Sequence, residues 1–221
     1  MTSTLENTDI SHAPVDSSVF QSFWMGGFEC STHRLPRRKA LGRFAGQRLD
    51  LVESTRHGEF ALEDYTRLQD VGIRTARDGV RWHLIEKSAF RYDFSSLVPM
   101  LRAARETQTQ VIWDLFHYGW PDGLNIWGTA FVDRFARFAR ATARVILEEI
   151  GGPLFITPVN EISFVAWGGG DAGFLNPFAK RRGDELKAQK VQHQHALVGL
   201  LFIAQLLEQL ALHPRVRPKR A

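Results

Sequence analysis

Four residues carry side chains suited to work on a polar, uncharged substrate, and they stand at or just beyond the ends of short apolar runs. Arg77 lies in "IRTARD", His117 closes "QVIWDLFH", and Asn160 closes "PLFITPVN" with Glu161 directly after it. A guanidinium and an amide hydrogen-bond to hydroxyls or orient a carboxylate. An imidazole donates or accepts, and a carboxylic acid moves a proton. Four tryptophans, Trp82, Trp120, Trp127 and Trp167, stand in the segments that follow. Indole stacks on the C–H faces of a pyranose while planar polar groups take its hydroxyls, and exclusion of water strengthens each of those bonds. The mixture suits a carbohydrate, with Arg77, His117, Asn160, Trp120 and Trp167 as candidate substrate contacts.

The elements that must position these groups alternate. Apolar strand patterns cover 22–29, 73–78, 110–117 and 153–160. Helical patterns cover 59–72, 93–108, 129–150 and 183–212. In 129–150, Phe131, Phe135, Phe138, Thr142, Val145 and Ile146 recur at spacings of three and four, and Gly151-Gly152 ends the run. Ser95 or Ser96 is the expected cap of the second helix. Strand then helix, with connections too long for hairpins, predicts parallel βα units, whose binding groups gather beyond the carboxyl ends of the strands. Strict strand alternation sends Asn160 and Glu161 to opposite faces; they serve one pocket only if the strand end bulges or turns there.

Composition removes other classes. A chain of 221 residues, 44% hydrophobic and 24% charged, is globular in composition, and one cysteine cannot make an intrachain disulfide. The longest apolar run, "ALVGLLFIA" at 196–204, is far shorter than the roughly 20 residues a membrane span needs. The net charge of +4 comes largely from "HRLPRRKALGR" and the tail "HPRVRPKRA", neither of which interleaves bases with aromatics, so nucleic acid is not expected. His193 and His195 are two apart on a helix and face different ways, so no metal is expected. No G-x-G-x-x-G spacing follows the first strand, where "GGFECS" stands, no G-x-S-x-G occurs, and no cofactor is expected. "GGG" at 168–170 reads as a flexible substrate loop. Residues 1–19 read as a disordered lead-in without signal-peptide features, 20–212 as one α/β domain and 213–221 as a basic tail; a cytoplasmic location is the expectation.

At these same residues the chain resembles the retaining β-glycosidases of glycoside hydrolase family 1, which are (β/α)8 barrels. "FWMGGFECSTHR" is similar to the family's first-strand segment and "RDGVRW" to its second-strand Arg-x-x-x-x-Trp. "WDLFHYGWP" resembles its third-strand His-Trp-Asp-Leu-Pro, and "PVNEI" its Asn-Glu-Pro. Ile162 replaces the usual proline, and Tyr118, Gly119 and Trp120 replace Trp-Asp-Leu, so sugar preference does not carry over. The resemblance implies that Glu161 is the acid/base. It also implies that Asn160 binds the sugar 2-hydroxyl, that His117 binds a ring hydroxyl, and that Arg77 orients the nucleophile's carboxylate. A raised acid pKa would need an apolar wall such as Phe164 or Trp167.

The family's nucleophile is a second glutamate on the seventh strand, and four βα units do not reach it. Glu29, Asp78 and Asp171 are the remaining acids near strand ends. The expectation is therefore a partial (β/α)8 barrel, about four units long, from a truncated, frameshifted or split barrel. It would act on β-glycosides or only bind carbohydrate, alone, as a homo-oligomer or with a complementary half-barrel.

Overall fold

A computed structural model describes residues 19–180. The predicted helix at 183–212, the tail and all but the last residue of the lead-in lie outside the described residues. Four strands form one parallel sheet in the order β1 (Met25–Gly27), β4 (Thr75–Gly79), β7 (Gln110–Asp114) and β8 (Phe155–Thr157). Arg77 stands opposite Ile112, and Ile112 opposite Phe155. The sheet and its helices make part of an α/β barrel, as predicted.

Each strand is followed by helix. After β1 come a short hairpin, β2 (Thr32–Arg34) with β3 (Arg48–Asp50), then α1 (Leu51–Ser54) and α2 (His57–Asp70). After β4 come α3 (Trp82–Ile85), the hairpin of β5 (Glu86–Ser88) with β6 (Arg91–Tyr92), and α4 (Val98–Thr107). β7 leads to α5 (Thr129–Ile150), and β8 to α6 (Ile162–Gly170). Gly72 ends the α2 segment at φ 80° and Gly151 ends α5 at φ 89°, left-handed conformations that glycine adopts without strain. The predicted serine cap of the second helix is not made. α4 starts after Leu97 without a side-chain cap, and Asp93 instead accepts from the Ser95 amide at 2.9 Å.

The main core lies between the sheet and α4 and α5. The apolar stripe of α5 buries Phe131, Phe135 and Phe138 around the indole of Trp82, at ring-centroid distances of 5.2, 5.5 and 5.0 Å. A predicted rim residue, Trp82, is thus core. It is fully buried, and its indole N–H donates to Glu86 at 2.7 Å. Among the described residues no helix is long and apolar enough to cross a membrane.

Candidate functional site

Alternation along β4 separates two neighbouring polar residues. Asp78 meets His57 and Tyr65 of α2, while Arg77 meets Asp114 of β7 and Asn160 beyond β8. One strand thereby fastens a helix with one side chain and begins the site with the next.

At the carboxyl ends of the strands a chain of hydrogen bonds runs across the sheet. The Arg77 guanidinium donates to the Asp114 carboxylate and to the Asn160 side-chain carbonyl. The Asn160 amide donates to the Tyr118 hydroxyl at 3.0 Å, and that hydroxyl donates to the Glu161 carboxylate. Asn160 and Glu161 do meet one group, because β8 ends at Thr157 and the backbone has left strand geometry. Glu161 has φ 42° and ψ 60°, and Tyr118 has φ 68°. Asn160 is buried and Glu161 is exposed. The residue after the predicted strand end is therefore the one that faces solvent.

His117 sits beside this chain. Its Nδ1 lies 3.1 Å from Cys30 Sγ and 3.5 Å from Asp114, and its Nε2 lies 3.8 Å from the Glu29 carboxylate. Burial pushes the imidazole down to about 4; Glu29 opposes this, Arg77 adds to it, and Glu161 opposes it. Burial raises Asp114 to about 6, against the guanidinium of Arg77 that partly offsets it. Burial alone would raise Glu29 too, but the Ser31 amide at 2.9 Å, the Ser31 hydroxyl, His117 and Arg77 hold it below the usual carboxylate range. Burial, helped by Asp114 and Asp78, drives the Cys30 thiol far up. The site thus contains a neutral imidazole and an ionised surface carboxylate.

Arg77, His117, Asn160 and Glu161 come together here. Trp167 stands 44% exposed on α6, packed edge-on to Phe174 at 5.1 Å and near Phe164 at 6.0 Å. Trp120 does not face the mouth. It is buried against Phe116 and Phe131, and its N–H donates to the Leu124 carbonyl at 2.9 Å, so this platform is corrected to core. The "GGG" loop is also corrected: Gly168–Gly170 end α6 and are buried, and a Cβ on Gly169 would stand 2.9 Å from the Asn176 carbonyl oxygen. Small residues there let the following loop pack closely. Asp78, a candidate spare acid, is buried against His57 and Tyr65, away from this chain of bonds. Sequence reasoning missed Asp114, Tyr118 and Cys30. The available signal for Asp114 was a carboxylate inside an otherwise apolar strand, which must find a partner.

No protein-family model and no curated protein matches the sequence. Solved structures do match. A β-glucosidase from Thermotoga maritima in complex with azafagomine aligns at TM-score 0.60 and 17% identity, over 69% of this chain and 36% of that one. The same organism's β-glucosidase with glucoimidazole aligns at 0.61 and 16%, over 68% and 35%. The AHE enzyme from Alicyclobacillus herbarius aligns at 0.60 and 17%, over 68% and 34%. The chain spans about a third of the length of these structures. The described residues are part of an α/β barrel whose fold is similar to that of family 1 β-glucosidases.

Proposed function

We propose that these residues form the sugar-binding and proton-transfer part of a retaining β-glycosidase site, with Glu161 as acid/base. The observation that carries the reading is the run of bonds from Asp114 through Arg77, Asn160 and Tyr118 to Glu161, laid across the carboxyl ends of adjacent parallel strands. Such ends are where barrel enzymes hold catalytic groups. In this reading Asn160 and His117 bind sugar hydroxyls, and Trp167 with Phe164 supplies an apolar wall beside Glu161. Arg77 orients an anionic partner.

Retention requires a second carboxylate roughly 5–5.5 Å from the first. Among the described acids near strand ends, Glu29 stands 3.8 Å from His117 at this mouth and is the first residue to test as that partner. The second reading is carbohydrate binding without hydrolysis by this chain alone, with hydrolysis only when a complementary half-barrel or a second copy supplies the nucleophile.

The test is hydrolysis of a chromogenic β-glycoside by the purified chain. Glu161→Gln should lower the rate by about 10²–10⁴-fold, the usual worth of a positioned acid/base. Glu29→Gln should do likewise only if Glu29 is the nucleophile. An unchanged rate in Glu161→Gln would sink the enzyme reading. Sugar binding without hydrolysis, weakened by Asn160→Ala, would favour the second reading.

A further inference from the structure

We infer that Cys30, Asp114 and His117 form a largely buried site for a thiophilic divalent cation of the zinc class, beside Asn160 and Glu161, in which His117 holds the ion instead of a sugar hydroxyl. Cys30 Sγ lies 3.1 Å from His117 Nδ1, and that nitrogen lies 3.5 Å from Asp114 Oδ2, the oxygen that Arg77 also holds. One donor atom from each residue falls within 4.8 Å of the others. Sulfur at about 2.3 Å and nitrogen or oxygen at about 2.0–2.2 Å from zinc, at tetrahedral angles, places donors roughly 3.3–3.7 Å apart. The sulfur–nitrogen and nitrogen–oxygen spacings lie close to that range. Thiolate, imidazole and carboxylate together suit zinc or cobalt rather than calcium or magnesium, which take oxygen donors.

Two observations independent of the spacing point to a cation. Asp114 is fully buried; Arg77 holds its Oδ2 and the Phe116 amide supports the carboxylate, but Oδ1 has no hydrogen bond of full geometry among the described residues. A buried carboxylate oxygen without a donor is costly unless something cationic meets it. The second is His117 Nε2, which faces the Glu29 carboxylate at 3.8 Å. Metal-bound imidazoles characteristically turn their other nitrogen to a carboxylate, which sets the tautomer and the ring angle. Charge also closes. A dication and Arg77 carry three positive charges, and the Cys30 thiolate, Asp114 and Glu29 carry three negative ones. On uptake the thiol proton passes to solvent and the sulfur lone pair binds the metal.

The fold presses the sulfur into place. A Cβ on Gly79 of β4 would stand 2.3 Å from Cys30 Sγ, so only glycine there leaves room for it. His117 keeps 12% of its side chain exposed at the mouth, which gives the ion a way in.

The experiment is a cobalt(II) titration of the full chain, stripped of metal and kept reduced. One cobalt per chain should bind, with thiolate-to-cobalt charge-transfer absorption in the near ultraviolet, displaced by zinc. Cys30 is the sole cysteine, so the band reports this site alone. Cys30→Ser should abolish it and weaken cobalt binding about a hundredfold or more, since even outer-shell changes cost 10–100-fold. Asp114→Asn should keep the band at lower affinity. No band in the reduced chain, or undiminished affinity in Cys30→Ser, overturns the site. Should Cys30→Ser fail to fold, X-ray absorption of the zinc-loaded natural chain decides. One sulfur at about 2.3 Å supports the site, and a shell of nitrogen and oxygen alone overturns it. Neither readout depends on hydrolysis, so the cation site and the glycosidase reading fail separately.

Discussion

Tyr118 and Glu161 both take left-handed backbone conformations that non-glycine residues avoid, and they are joined through one hydroxyl. Such conformations cost of order 1–3 kcal/mol each and persist where surrounding contacts hold them. Here the holding contacts are the Asn160 amide and the Arg77 guanidinium. A different residue-scale device sits on the helix side of β4. His57 lies between Asp64 at 2.8 Å and Asp78 at 2.7 Å, stacked on Phe28 at 3.9 Å. Burial pulls its pKa down, but the bonds and fields of the two carboxylates outweigh that and raise it above 6.5. The folded state therefore holds the proton more tightly than the unfolded chain. This stabilisation is fully present below about pH 6.5 and fades as pH rises through the folded value. His57→Gln should flatten that dependence, measured as denaturation midpoint against pH between about 6 and 9. A mutant that retains the natural slope would show that another group carries it. None of this was legible beforehand. His57 precedes the predicted helix, and its two acids lie 7 and 21 residues away in sequence. Trp82 and Trp120 were misplaced for a related reason: strand-end position predicts proximity to the mouth, while each indole N–H found a buried acceptor and its rings found α5.

At the scale of elements, α5 was readable to the residue because its apolar stripe recurs from Phe131 to Ile146 and the helix ends on glycine. The hairpins β2–β3 and β5–β6 were not, since two or three residues show no periodicity. The second hairpin matters. Its Glu86 is fully buried and accepts from the Trp82 indole at 2.7 Å, the Phe90 amide at 2.9 Å and Arg134 of α5 at 3.0 Å. Three donors from three segments satisfy one carboxylate and tie the hairpin to the helix. Arg134→Ala would leave that charge buried without its cation, a loss of about 3–5 kcal/mol. Adding Glu86→Gln should recover part of it, because a neutral amide tolerates burial better than a lone carboxylate. Urea denaturation of the single and double variants measures both, and a loss under about 1 kcal/mol in the single would mean that the two remaining donors suffice.

Across the whole molecule, order should follow the sheet. β4 and β7 are paired on both sides, with five registered residues between them, whereas β1 and β8 are three-residue strands each paired on one side within this sheet. Phe23 and Trp24, just before β1, are 89% and 74% exposed, which places large apolar surface at that edge. Opening free energy tracks pairing and burial, so amides of β4 and β7 should exchange most slowly and those of β1 and β8 faster by at least about a decade. Hydrogen exchange on the full chain reads this directly. The site draws on both regions: Arg77 and Asp114 come from the protected pair, while Asn160 and Glu161 follow the edge strand β8. Glu161, the proposed acid/base, would thus be held by hydrogen bonds from a rigid centre rather than by its own strand. Equal protection across all four strands would contradict this and point to a covering partner at both edges, such as the complementary half-barrel or second copy of the second functional reading. Protection of β8 that rises on adding a β-glycoside, without a change in β4, would instead tie ordering of the edge to sugar binding at Glu161.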